Sequence, residues 1–323
     1  MNTETENTAS IMEDSKIMAD SVVKDMLKVV VDMKETPSGA YNIRVDGKSI
    51  GRAGTKNIEI IPKENGVGIE IHVRAGTKDE MAHIPVVVES SGFKDIVYND
   101  FFIGEDSDIQ IVAGCGIHNE GHHLSQHDGI HTFHVGKNAK VKYIEKHYGS
   151  GGGDGERVLN PVTNVFLEEG SYLEMDTVQI EGIHSTVRIT NGKLADNATL
   201  IVHEKILTSG KQFAKTEFHV DLDGKGSKTN VTSRSVAKGT SVQEFLSNMN
   251  GNNACHGHSE CDAIIMEDAR VQAVPEIAAN HVEASLIHEA AIGKIAGEQI
   301  DKLMTLGLTR EDAEAEIING FLK

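Results

Sequence analysis

The spacing of apolar positions changes period twice along the chain. Near the N-terminus Met18, Val22, Met26, Val29, Val30 and Met33 recur at helical intervals, which predicts one amphipathic helix ending before Pro37. A methionine stripe of this kind reads as a core or docking face rather than a cofactor site. Residues 1 to about 10 are polar and read as disordered. From about Tyr41 the period falls to two. Asn57–Ile61 and Val67–Val73 are expected strands, with a Glu-Asn-Gly turn between them. Near Ala291 the helical period returns: Ile292, Ile295, Ala296, Ile300, Leu303 and Met304 mark one face, and Gly307 stops it. Thr309, with Asp312 three residues on, is the expected N-cap of a second helix that Gly320 closes.

Between the helical ends a short unit recurs. An apolar residue is followed by small or acidic residues, one small residue, and then alternating apolar positions. It reads IGEDSDIQIVAG at 103–114, VGKNAKVKYIEK at 135–146, LEEGSYLEMDTV at 167–178 and LADNATLIVHEK at 194–205. Looser copies lie at 222–233 and 266–277. Intervals of about 27 to 32 residues between the early units are the signature of a β-solenoid. The small residue falls where a rung turns its corner, and the alternating residues fill the interior. No useful amphipathic helix interrupts 55–280, which excludes a βαβ sheet with crossover helices. The expected architecture is mainly β: a right-handed parallel β-helix over 41–290, an N-terminal tail and helix over 1–40, and a two-helix segment over 291–323. An antiparallel sandwich is the alternative. A solenoid leaves unpaired backbone at its ends. The N-terminal helix is expected to cap one end, and a second copy related by a two-fold axis to cover the other.

Composition narrows the function. A net charge of −18 argues against nucleic acid or an anionic membrane as the main partner. The chain has no Trp and only 4% aromatic residues, which suits thin stacked β layers. No apolar run is long enough to span a membrane, and the acidic start resembles no export signal, so a cytoplasmic location is expected. Three cysteines, Cys115, Cys255 and Cys261, are read as reduced thiols rather than a disulfide framework. A polysaccharide-active β-helix enzyme is disfavoured by the scarcity of aromatic sugar platforms and the lack of an export signal.

Several groups of residues are candidates for chemistry. Cys261 follows the polar loop NGNNACHGHSE and precedes a strand, where an accessible thiolate can accept sulfur or bind iron; the competing reading is a small buried hydrophobe. In an extended segment His288 shares a face with Val282, Ala284 and Leu286, while Glu289 faces the other way. On that pattern alone His288 is a hydrogen-bonded core residue. Cys255 and His258 complete a C-x-x-H-x-x-C spacing with Cys261, one ligand short of a zinc site. The segment 114–136 carries six of the sixteen histidines. His122, His123 and His127 in it are candidate metal ligands, against the alternative of a polar surface loop. The glycine-rich run 147–158 is a flexible loop. Gly47-Lys48-Ser49 lacks the glycine a P-loop requires, since Asn42 stands there, so no nucleotide site is expected on this chain.

Two ordered motifs give a resemblance. His288-Glu289-Ala290, Lys294-Ile295, Gly297-Glu298-Gln299, Leu306-Gly307-Leu308, Glu311-Asp312-Ala313 and Asn319-Gly320-Phe321, preceded by Cys261-Asp262-Ala263-Ile264-Ile265, resemble the C-terminal end of the SufB/SufD family, scaffold subunits of SUF iron–sulfur cluster assembly. The length matches the short, single-gene form. The resemblance implies a β-helix, a non-enzymatic scaffold role, and a transient iron–sulfur cluster built from iron and sulfur at a subunit interface. It places the sulfur-accepting thiol at Cys261 and further ligands at His288 and Glu289, shared between the copies of a homodimer. It also implies a SufC-like ABC ATPase docked on the C-terminal helices through Leu303, Met304, Ile317, Ile318 and Phe321, together with a sulfur donor and apo-protein acceptors. The rival reading is a His-rich zinc- or iron-binding β-solenoid protein.

Overall fold

The computed structural model describes residues 20–64 and 66–323. Met18, Asn65 and the N-terminal stretch expected to be disordered lie outside the described residues. Helix α1 spans Ser21–Val31; Asp20 caps it by accepting from the backbone N–H groups of Val22 and Val23, and Asp32, in the left-handed conformation, ends it before Pro37 is reached.

Two antiparallel hairpins follow: β1 (Ala40–Val45) with β2 (Lys48–Ala53), and β3 (Ile58–Pro62) with β4 (Gly68–Val73). From there the chain winds between two sheets. The first holds β5 (Lys78–Val88), β7 (Asp108–His118), β9 (Lys140–Ser150), β12 (Tyr172–Glu181), β14 (Thr199–Thr208), β16 (Lys228–Ala237), β18 (His256–Ile265) and β20 (Ser285–Gly293). The second holds β6 (Lys94–Ile103), β8 (Ser125–Val135), the interrupted pair β10 (Arg157–Leu159) and β11 (Val162–Leu167), β13 (Ser185–Leu194), β15 (Phe213–Leu222), β17 (Val242–Gly251) and β19 (Arg270–Ala279). Each strand pairs in parallel with the strand one turn on, giving a β-solenoid of about eight turns. Parallel pairing of this kind rules out the antiparallel sandwich.

Burial alternates residue by residue along the rungs; β14 and β15 each hide every second side chain. The corners follow the repeat units. Asp106, Asn138, Gly170, Asn197 and Gly226 adopt positive φ, and each is followed by a small residue with almost no exposure: Ser107, Ala139, Ser171, Ala198 and Ser227. The corners stack as well as turn. The Asn138 N–H donates to the Glu169 carbonyl at 3.0 Å, and the Asn197 N–H to the Lys225 carbonyl at 2.9 Å. At Gly170, where φ is +69°, a Cβ would stand 2.5 Å from Asn138 Oδ1, so glycine fits this corner without displacing that side chain.

Three expectations are corrected. Helix α1 does not plug the end of the solenoid; the two hairpins occupy that end, and α1 lies along the outer face of the first sheet over β5, β7 and β9. Its stripe of Val23, Met26, Leu27 and Val30 buries against Ile43, Val45, Val87 and Val112. Gly114 admits it, since a Cβ there would lie 2.6 Å from the Val30 carbonyl oxygen. The C-terminal helix does not begin near Ala291: Ala291, Ile292 and Gly293 stay in β20, held in register by Asp262, Ala263 and Ile264. Helix α2 starts at Gly297 and runs to Thr305; α3 runs from Arg310 to Phe321, so Gly320 lies inside it. Gly307 takes φ +98° between the helices, and the Thr309 hydroxyl accepts from the Asp312 N–H as expected. No helix among the described residues is long and apolar enough to cross a membrane.

Candidate functional site

The solenoid ends at β19 and β20, where no further rung covers the interior. Both strands are largely exposed, including Val274, Ile277, Ile287 and Ile292, and the loop between them projects Val282 at 98% exposure. Cys261 lies one rung inside this end. Because β18 already begins at His256, Cys261 is a mid-strand, inward-facing residue rather than one at the mouth of a strand, and it is 1% exposed. The expectation of an accessible thiol is corrected. Burial, then the charges of Glu204 and Asp262, push its thiol up to about 12.

His288 sits opposite Ser259 in register, and Ala290 opposite Cys261. His288 is therefore the diagonal inner-face neighbour of Cys261 in the same chain, with Cα atoms about 8 Å apart on strand geometry. Both ring nitrogens of His288 and the hydroxyl of Ser259 are buried with no hydrogen-bond partner. Burial, with the nearby His258, holds the His288 imidazole below its ordinary value. Unpaired buried polar groups are costly, and here they gather beside a thiol at an uncovered end. Glu289 points to the outer face and meets His258 Nε2 at 3.4 Å; His258 Nδ1 in turn contacts Asn230 Oδ1 at 2.9 Å.

The other candidates are not brought together. Cys255 is buried on the inner side, His258 lies on the outer face, and Cys261 faces inward, so C-x-x-H-x-x-C cannot close on one ion. His122 is exposed and paired to Asp154 at 2.5 Å, His123 is exposed near Gly92, and His127 is buried 3.3 Å from Asp95. The histidines of 114–136 are dispersed because alternation sends His127 and His131 inward and His134 outward. On the C-terminal helices Met304 is exposed, Leu303, Ile317 and Phe321 are half-buried, and Ile318 is buried, like Ile300 and Ala313. Ile318 therefore serves intrachain packing.

Sequence reasoning missed a polar file inside the solenoid. Arg188 reaches Glu145 at 2.5 Å and Glu204 at 3.6 Å, all three buried. His147 Nδ1 lies 3.0 Å from Arg188, and Tyr143 bridges Glu145 and His131. Burial would raise Glu145, but His147 and Arg188 outweigh it and hold the carboxyl well below the usual range. For Glu204 burial wins over Arg188, Ser233 and Thr216, and its pKa is raised. Glu204 Oε2 accepts from Ser233 Oγ at 2.8 Å, and Ser233 is the register partner of Cys261, so the file leads to the thiol. Nearer the other end, Asp95 takes a bidentate contact from Arg44. The outer face also brings Glu174, Asp176 and His203 together. The sequence carried a signal for that triad: Asp176 and His203 hold the same place in consecutive repeat units.

Comparison with known proteins decides the family. The description "SUF system FeS cluster assembly, SufBD core domain" matches residues 115–263 and 194–321. The chain belongs to the SufBD family. It is 25% identical over 318 residues to an iron–sulfur cluster assembly SufBD family protein of Methanocaldococcus jannaschii, covering 94% of this chain and 99% of that relative. A SufBD family protein of Archaeoglobus fulgidus is 29% identical over 231 residues, 71% of this chain but only 61% of the relative's length. One from Pyrococcus horikoshii is 26% identical over 262 residues, 80% of this chain and 78% of its own. SufBD proteins take part in iron–sulfur cluster assembly, and the two motifs carrying the resemblance lie at the uncovered end of this SufBD solenoid.

Proposed function

We propose that the chain is a scaffold on which iron and sulfide are joined into a transient cluster at the C-terminal end of the solenoid, where two copies meet. The observation that carries this is the orphaned pair, His288 and Ser259, beside Cys261 on an inner face that lacks its next rung. Thiolate and imidazole suit iron, and a thiolate ligand can stay bound while the cluster grows. Cys261 is the sulfur-accepting residue and His288 the nitrogen donor. Glu289 is assigned as a carboxylate supplied across the dimer axis, since within one protomer it faces away from the thiol.

A second copy fits the end for two reasons. Ile277 and Ile292, register partners of the inward-facing Met249 and Ala263, are exposed and leave apolar surface at this end. The outer edges of β19 and β20 carry backbone groups that another strand can pair. A buried, protonated thiol needs the interface to open before it reacts, which assigns work to a separate motor. We place a SufC-like ABC ATPase on α2 and α3, where Met304 and Leu306 are exposed and Leu303, Ile317 and Phe321 are half-buried. The scaffold binds no nucleotide in this reading; a sulfur donor and apo-protein acceptors are its transient partners.

The sharing of the site between copies is tested by mixed dimers. A Cys261→Ser copy co-expressed with a Glu289→Ala copy retains one complete site if the thiol and imidazole come from one protomer and the carboxylate from the other. Cluster in the mixed dimer but in neither parental homodimer is the expected result. Absence of cluster from the mixed dimer contradicts a shared site.

A further inference from the structure

On the outer face of the first sheet, Glu174 and Asp176 project from the same side of β12, and His203 stands opposite Asp176 on β14. One ligand atom from each lies within 4.8 Å of the others, and all three side chains are half-buried. Donors on one ion, with metal–ligand distances of about 2.1 Å, stand about 3 Å apart, so displacements of about 1 Å per side chain close the set. The strands are interior members of a continuous parallel ladder, so the three Cα positions are fixed before any ligand arrives.

A second observation concerns access. A cleft of about 600 Å³ opens beside Asp176 and His203, floored by Thr232 and Glu260 and bordered by Lys205 and the chain terminus at Lys323. The carboxylates share one ammonium: Lys142 Nζ lies 3.2 Å from Glu174 and 3.1 Å from Asp176, and Glu174 also accepts from the Tyr172 hydroxyl at 2.9 Å. One positive charge against two carboxylates leaves the pair short of neutrality, and among the described residues none hydrogen-bonds the His203 ring. Lys142 hangs from β9, is 44% exposed, and can swing into solvent.

We propose that Glu174, Asp176 and His203 form a binding site for a first-row divalent cation, with remaining coordination positions open to the cleft. Two carboxylates and one imidazole favour Fe²⁺, Mn²⁺ or Zn²⁺ over Mg²⁺ and Ca²⁺, because the nitrogen donor adds nothing for the harder ions. The ion replaces the Lys142 ammonium. The site is separate from Cys261, which faces the opposite side of the same sheet, and it stands whether or not a cluster forms at the C-terminal end.

The test uses the full chain, stripped of metal and kept anaerobic, titrated with Co²⁺ as a spectroscopic probe and with Fe²⁺ by chelator competition. One ion per chain is expected, with a visible spectrum free of thiolate charge transfer and unchanged in Cys261→Ser. Asp176→Asn and His203→Ala, both partly exposed positions whose folding circular dichroism checks, are expected to weaken binding at least about tenfold, the loss that even outer-shell changes produce at metal sites. Lys142→Met removes the competing ammonium and is expected to tighten binding. Failure of the wild-type chain to bind, binding abolished by Cys261→Ser, or affinity unchanged by His203→Ala overturns the proposal.

Discussion

Arg188 shows how charge is placed inside this solenoid. It lies between Glu145 and Glu204 with all three side chains buried, and removing it leaves an uncompensated carboxylate at Glu145. Arg188→Leu is therefore expected to cost about 3–5 kcal/mol in urea unfolding, and the double variant with Glu145→Leu to recover much of that loss. His131 adds a pH dependence. Burial lowers its pKa from 6.5 to about 4, so its neutral form stabilises the fold above 6.5, and that contribution is lost as pH falls towards 4. Thermal melts are expected to show lower stability across that window, with a smaller loss in His131→Gln. Cys261, with its thiol raised to about 12, is expected to resist iodoacetamide at neutral pH in the isolated folded chain and to react on unfolding. Rapid labelling of the native chain would contradict its placement. These residues were the least legible in the sequence. Alternation tells which side chains turn inward but assumes that inward means apolar, and Glu145, His147, Arg188 and Glu204 break that assumption by pairing with one another.

At the scale of elements, the repeat units announced the architecture because each corner has a steric requirement that sequence records. The residues after the left-handed positions are Ser107, Ala139, Ser171, Ala198 and Ser227, all small, as the repeat alignment expected. The helical ends were read less well. Apolar periodicity at Ala291–Ile292 fits a helix face as well as a strand, and pairing with β18 decided the matter. The stripe of α1 likewise defines an apolar face without naming the surface it meets. Gly114 makes that choice testable: Gly114→Val sets methyl groups against the Val30 backbone and is expected to cost about 1–3 kcal/mol while raising hydrogen exchange in α1. Unchanged exchange would mean that the helix is held elsewhere.

For the whole molecule, the consequential asymmetry is between the two ends. Antiparallel hairpins close the N-terminal end, whereas β19 and β20 leave the interior of the last rung uncovered. The sequence located the motif residues that cluster there and the opposite facing of His288 and Glu289, but not the inward burial of Cys261 beside His288. If two copies close this end, Ile277→Asp shifts the sedimentation coefficient from dimer to monomer without unfolding the chain. The central claim, that Cys261 is where the cluster is built, is tested most directly by acid-labile sulfide. It is measured in the wild-type chain and in Cys261→Ser after anaerobic co-purification with the proposed ATPase partner. The account expects sulfide in the wild type and none above background in a Cys261→Ser protein of unchanged oligomeric state; equal sulfide in both contradicts it.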